Sequence, residues 1–301
     1  MRDRKIKLQG RDVGEVLWNG TRYILLTVFV LLCVYPFYYV IIYSLSNPEL
    51  AARGVYLWPK GFTLNNYKEV FELGDLFPAF CISVLRTVLG TVISVVCTSM
   101  LAYLVTKDMW GRKVVYRIIV VTMYLNGGLL PWYLVMNAYS LTNNFLAYIV
   151  PSAINAYNMI LIKTFVEQLP PSLEESAAVE GAGFFTTFFR IILPLSKPII
   201  ATISVYCMVG QWNSWKDNFF LNTDLKLQTM QLILRKYLTQ AEALLLAAQN
   251  SDVQMSVTET QVTPETIQMT SVVVTMIPIM LVYPFAQKYF TKGIMLGAVK
   301  G

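Results

Sequence analysis

The sequence predicts an all-α integral membrane protein with six spanning helices and both termini cytoplasmic, and three observations carry that reading. Of its 301 residues 55% are hydrophobic and only 14% charged, with a mean hydropathy of +0.52, far from the balance of a soluble domain of this length. Apolar stretches at residues 23–46, 86–105, 118–135, 143–166, 198–216 and 264–288 have the lengths needed to cross about 30 Å of hydrocarbon. The segments before the first span, between the second and third and after the sixth are basic, as retained segments are, and the insert at 167–197, where Glu167, Glu174, Glu175 and Glu180 outnumber the bases, is placed inside by alternation of the spans. The net charge of +6 therefore reflects cytoplasmic loops in contact with membrane lipid, and no nucleic-acid surface is expected.

Arg2, Arg4, Lys5, Lys7, Arg11 and Arg22 precede the first span and place the N-terminus inside. Met1–Gly20 is basic and polar, so no cleavable signal is expected. The span itself carries Pro36, and the loop after it sets Arg53, Lys60 and Lys68 against Glu49, Glu69, Glu72 and Asp75, as an external segment does. The second span starts near Arg86, which is expected to snorkel to water at the outer end, with Pro78 to Leu85 as a surface lead-in. Lys107, Arg112, Lys113 and Arg117 mark the next loop as cytoplasmic. The third span is broken near its outer end by Asn126-Gly127-Gly128 and Pro131, and backbone freed at that depth must be buried in protein or line a cavity.

The fourth span is rich in amides. On a continuous helix Asn144, Tyr148, Pro151, Asn155 and Asn158 fall within a sector of about 80°. Intramembrane polar groups avoid lipid, so this stripe faces either neighbouring helices or a polar passage. In the fifth span Tyr206, Gly210, Asn213 and Asp217 share a face, while Trp212 and Trp215 at its end suit an interfacial belt or a ligand platform. Residues 217–263 form the longest external loop, and within it Thr229 to Gln249 reads as a helix with Met230, Ile233, Leu234 and Tyr237 on one side and Arg235 and Lys236 on the flank. Thr263-Pro264 opens the last span, Pro278 and Pro284 kink it, and Lys288, Lys292 and Lys300 put the C-terminus inside.

Between the fourth and fifth spans lies a soluble-looking insert, residues 167–197. Pro170 and Pro171 interrupt the preceding helix, and Ser172 with Glu175 three residues on has the spacing of a capping box. Gly181 and Gly183 supply a stop, so the expected form is short helix, glycine turn, second short amphipathic helix from Phe184 to Ile192, then Pro194 and Pro198. Ten residues of helix reach about 15 Å, which cannot cross a bilayer.

Read as a pattern, the insert is Glu175-Ser176-Ala177, three residues, Gly181, nine residues, Ile191, one residue, Leu193-Pro194. It resembles the EAA loop of the membrane subunits of ATP-binding-cassette (ABC) importers, with Ser176 in place of the first Ala. Ala102-Tyr103-Leu104, Asn-Gly-Gly-Leu-Leu-Pro at 126–131, Trp212-Asn213-Ser214-Trp215, Tyr289-Phe290, Gly293 and Gly297-Ala298-Val299-Lys300-Gly301 extend the resemblance to carbohydrate-uptake permeases of the maltose-permease type, in the Gram-positive oligosaccharide branch. The resemblance implies a type I ABC importer permease fold, one permease domain over 1–301, multi-pass in a bacterial plasma membrane. It implies three kinds of partner: a second related permease, two copies of a cytoplasmic ATPase, and an external or lipid-anchored solute-binding protein. ATPase coupling would fall to Glu174, Glu175, Ser176, Ala177, Ala178, Gly181, Ala182, Ile191, Leu193 and Pro194. The substrate path would draw on Asn144, Tyr148, Asn155, Asn158, Tyr206, Trp212, Asn213 and Trp215, and docking of the binding protein on Arg235 and Lys236.

Other classes fit less well. The chain has no histidine, no CxxC among Cys33, Cys81, Cys97 and Cys207, and no GxxxxGK[ST] or GxSxG, so neither a metal site, a nucleotide site nor a catalytic site of its own is expected. No cofactor is expected either, ATP and Mg being bound by the partner ATPase. A stand-alone secondary transporter would need carboxylates inside the spans, which offer essentially none, and a membrane-embedded lipid enzyme would need clustered acids or histidines at an interface. Within the ABC class, importers of amino acids, phosphate or polyamines share the EAA loop and remain the alternative on substrate.

Overall fold

The structure is a computed structural model that describes residues 13–72, 76–125, 127–250 and 263–298. The basic cluster Arg2 to Arg11, Asn126, residues 251–262 of the expected external loop and Val299 to Gly301 of the tail lie outside the described residues. In order the helices are α1 (Val13–Ser44), α2 (Pro48–Ala51), α3 (Asn65–Glu72), α4 (Leu76–Leu104), α5 (Arg112–Thr122), α6 (Leu129–Ala138), α7 (Ala156–Val166), α8 (Ser172–Val179), α9 (Phe184–Thr187), α10 (Leu193–Leu195), α11 (Lys197–Asn213), α12 (Lys216–Leu221), α13 (Met230–Asn250) and α14 (Pro264–Ala298). Among the described residues there is no strand. Three helices are long and apolar enough to cross a membrane, at Leu17–Ser44, Leu76–Leu104 and Glu265–Pro284, and up to five spans result if each of two bent pairs counts as one. A bilayer leaves no water for backbone groups, so helices that satisfy their own are what such apolar runs form.

The chain divides into two compact units, one of residues 1–68 with 256–273 and one of 69–255 with 274–301. In the first, α1 presents an apolar surface that is exposed along its length and buries only its C-terminal end, where Ile42 and Tyr43 pack with Ala51 and Val55. Buried Asn66 ties the following turn by donating to the carbonyls of Ser44 and Ser46, both at 2.8 Å, and Tyr43 donates to Glu265 at 2.9 Å.

The second unit is built on α4. This helix is one continuous rod of 29 residues, so the expected surface lead-in at Pro78 to Leu85 is instead its first turns. Its buried face carries small residues, among them Ser83, Gly90, Ser94, Thr98 and Ala102, and that stripe lets α11 and α7 approach closely. Val95, Ala102, Tyr103, Met159, Ile162, Val166, Phe188, Ile192 and Ile203 close the core at the C-terminal end of α4.

The fourth run, expected as one continuous helix, is broken, and the break expected in the third is present. The fourth apolar run forms 3-10 turns at Phe145–Tyr148 and Val150–Ser152 before α7, with a 46° bend between them. Pro151 lacks an N–H, and Asn155 takes an extended backbone and caps α7 by accepting from the Asn158 N–H at 2.9 Å. Likewise α5 and α6 are separated by the glycine segment, with Gly128 in a positive-φ conformation that only glycine adopts at low cost.

Candidate functional site

The break before α7 opens a polar cavity of about 620 Å³ between α4, α7 and α11. Its lining includes Ser94, Pro151, Ser152, Asn155, Tyr157, Asn158, Tyr206, Cys207, Gly210, Gln211, Arg86 and Asp217. Arg86 is buried and snorkels nowhere: its guanidinium donates to Gln211 Oε1 at 3.0 Å, to the Ser214 carbonyl at 3.1 Å and to both Asp217 oxygens, the closer one an ion pair. The charge also lies 4.6 Å from the centre of the Tyr148 ring, a cation–π contact. Gln211 in turn donates to Ser152 Oγ at 2.7 Å, and its side chain lies over Gly90, where an added Cβ would sit 2.7 Å from it.

The network continues outward. Asn218, fully buried, donates to the Tyr148 hydroxyl at 2.6 Å and accepts from Thr229 N–H at 2.8 Å, while Tyr148 donates to the Leu227 carbonyl at 2.5 Å. Met230 N–H, an orphan donor at the start of α13, is met by Ser83 Oγ at 2.9 Å. One buried polar chain therefore ties α4, the bent fourth run, α11, α12 and the start of α13.

At the other end of α4 the insert folds as helix, glycine turn, helix. Gly181 has φ +78°, a left-handed conformation that turns the chain after α8, and nothing else would crowd a side chain there. The expected capping box does not form: Ser172 is already the first helical residue and Pro171 precedes it without a side-chain cap, because the proline ring sets the entry. The second helix widens into a π-turn at Phe188–Ile192, which contains Ile191, before bending 84° into α11. Ala177 is buried, whereas Glu175, Ser176, Ala178 and Gly181 are exposed, Val179 is 89% exposed and Phe185 60%. Ala182, Ile191 and Leu193 are half-buried and Pro194 exposed. Glu174 forms an ion pair with Lys107, whose ammonium lies 4.2 Å from the Tyr103 ring centre, and burial lowers the pKa of Lys107 below the ordinary lysine value.

Residues 90–296 match the family described as binding-protein-dependent transport system inner membrane component, more than half of the chain. The chain belongs to that family. It is 37% identical over 287 residues to the polygalacturonan/rhamnogalacturonan transport system permease protein YtcP of Bacillus subtilis (strain 168), covering 95% of this chain and 99% of the relative. Protein LplC of the same organism is also 37% identical, over 271 residues, 89% of this chain and 90% of that protein. Among solved structures, a chain of a bacterial ABC transporter involved in the import of the acidic polysaccharide alginate superposes with a TM-score of 0.82 at 27% identity, over 93% of this chain and 99% of the other. This inner membrane component thus has the type I ABC permease fold.

The structure brings together Asn155, Asn158 and Tyr206 of the expected path residues in the cavity lining. Asn144 instead caps the 3-10 turn at Phe145, accepting from Leu146 N–H at 2.9 Å, and Tyr148 turns into the Arg86 network, because the fourth run is not one continuous helix. Trp212 is buried with its indole donating to the Thr275 carbonyl at 3.1 Å; Asn213 is exposed and accepts from Gln231 at 3.3 Å. Arg235 lies 4.4 Å from the ring centre of Trp215, and Lys236 is exposed beside it. Ser152, Gln211 and Gly90 join the site without a signal in the sequence, Lys107 has a contact beyond its part in marking a cytoplasmic loop, and Arg86 is buried where snorkelling was expected. A lone arginine inside an apolar run was the available signal, since an ionisable residue there is expected to have a buried partner.

Proposed function

We propose that this chain forms half of the translocation path of an ATP-driven ABC importer for a carbohydrate of oligosaccharide size. The observation that carries the reading is the cavity beside α4 and α11. Asn155, Asn158, Ser152 and Gln211 supply amides and hydroxyls, Tyr157 and Tyr206 supply ring faces, and the one cation among its described lining residues, Arg86, is neutralised by Asp217. Sugars need convergent donors and acceptors and offer C–H faces to aromatic rings, which this mix matches. The relative named for polygalacturonan/rhamnogalacturonan transport and the likeness to the alginate transporter support a carbohydrate over other solutes.

In this reading the spans number six, with α5 and α6 together making the third, and both termini are cytoplasmic. The insert at 167–197 docks on one of two ATPase copies through the exposed face of Glu175, Ala178 and Val179, and those copies bind ATP and Mg, the permease holding no cofactor itself. Residues 217–263 face outward, where Arg235 and Lys236 on α13 meet an external or lipid-anchored solute-binding protein, and a second related permease completes the path. ATP-driven closure of the ATPase pair would then rock the two permeases between states of different ATP affinity.

Affinity purification of the tagged chain from native membranes should recover an ATPase and a second permease in stoichiometric amounts. Recovery of the chain without either would overturn the assignment. Replacing Arg235 and Lys236 by Glu should raise the concentration of binding protein needed for half-maximal ATPase stimulation, more so at low salt, because exposed charges steer association. An unchanged concentration dependence at low salt would remove these two residues from the docking site.

A further inference from the structure

Resting on the proposed coupling role of the insert, we infer that Lys107 is a positioning residue that clamps the coupling helix α8 onto α4, making α4 the rod that carries ATPase motion to the cavity. The covalent connections of the insert are poorly suited to transmit a push. On one side Pro170 and Pro171 interrupt the chain, and on the other the second insert helix meets α11 at an 84° bend at Ser196. Bends of this kind absorb displacement in a few backbone dihedrals.

The contact through Lys107 bypasses both. Lys107 is fixed at the end of α4 by backbone bonds, its N–H reaching the Leu104 carbonyl at 3.0 Å and that of Thr106 reaching Tyr103 at 3.0 Å. Its ammonium bridges Glu174 on α8 and the Tyr103 ring. Tyr103 is 2% exposed and packs on Phe184 and Phe188 of the second insert helix with ring centres 5.0 and 5.6 Å away, while α8 is tied to the same buried ring through Glu174 and Lys107. From there α4 continues as one helix, without a proline beyond its first turn, to Arg86 on the cavity wall, about 26 Å at the usual rise per residue. Tyr103 belongs to the buried core, which leaves Lys107 as the adjustable part of the clamp.

The test uses the complete importer with its ATPase, in a background where the four native cysteines are serine and Asn155→Cys reports cavity exposure to a water-soluble maleimide. The parent complex should show a labelling rate that differs between the nucleotide-free and the vanadate-trapped state; no ATPase recovered, or no difference, would instead overturn the proposed function itself. Given that difference, Lys107→Glu should retain the ATPase on purification yet lose the nucleotide dependence of labelling by about tenfold, a coupling of the size seen for contacting residues. Lys107→Arg should keep it, and Lys107→Glu combined with Glu174→Lys should restore it. Full nucleotide dependence in Lys107→Glu, or a double reversal no better than either single change, would overturn the clamp. Should Lys107→Glu fail to assemble, Lys107→Gln decides on the same readout.

Discussion

The two ends of α4 each carry a cation bound to a carboxylate from another helix, and the two settings differ in burial and in bonding. Near the N-terminal end, Arg86 is 3% exposed and Asp217 17%, the guanidinium makes three further contacts, and Asp217 also accepts from Ser214 Oγ at 3.1 Å and from Asn218 N–H at 2.9 Å. At the C-terminal end Lys107 and Glu174 are 28% and 32% exposed, with one aromatic ring as additional support. A charge taken out of water must recover its hydration from fixed partners, and only the first pair has enough of them. The first pair therefore fixes one arrangement of α4, α11 and α12. The second, partly exposed, contributes little to overall stability, so it holds α8 to α4 without fixing the fold around it.

That contrast is easiest to break at the buried pair. Arg86→Leu should strand a buried carboxylate and destabilise the detergent-solubilised protein by about 3–5 kcal/mol, seen as a large fall in apparent Tm. The double change Arg86→Met with Asp217→Leu should recover most of the loss, since no charge is then left unpaired; equal damage from the single and double variants would show that the cost does not come from an unpaired buried charge. A smaller effect is expected one turn along. Gly90→Val presses on the Gln211 side chain, which its bonds to Arg86 and Ser152 hold in place, and should cost about 1–3 kcal/mol. Shortening that neighbour, as Gly90→Ala with Gln211→Ala, should relieve the clash measured for Gly90→Ala alone. At the other end Lys107→Gln should change stability by no more than about 1 kcal/mol, the range of partly exposed pairs. The same contrast should appear in salt: raising ionic strength should erode the contribution of Lys107 in a double-mutant cycle with Glu174 and leave that of Arg86 with Asp217 nearly intact.

Much of the architecture was legible in order along the chain. Apolar length announced the helical membrane class, and Gly181, with its φ of +78°, marked the turn between the insert helices. The helix expected over Thr229 to Gln249 forms as Met230–Asn250, with Met230, Ile233 and Leu234 buried as their spacing required. The amide stripe of the fourth run was less faithful. Helical geometry projected five residues onto one face, but Pro151 and the Asn155 cap break that helix, so Asn155 and Asn158 reach the cavity while Tyr148 points elsewhere.

By itself the sequence determined what depends on neighbours in the chain: which runs are too apolar to leave the bilayer, where proline and glycine interrupt them, and the spacing of the insert that marks the transport family. Tertiary structure alone decided the fate of each polar group inside those runs. Arg86 as a sequence symbol is compatible with snorkelling to water or with burial, and the choice rests on whether a carboxylate 131 positions away, with Gln211 and the Ser214 carbonyl, arrives within hydrogen-bond reach. Periodicity records the direction a side chain leaves its own helix, not what another helix brings to meet it, and for a buried charge the arriving partner sets the energy.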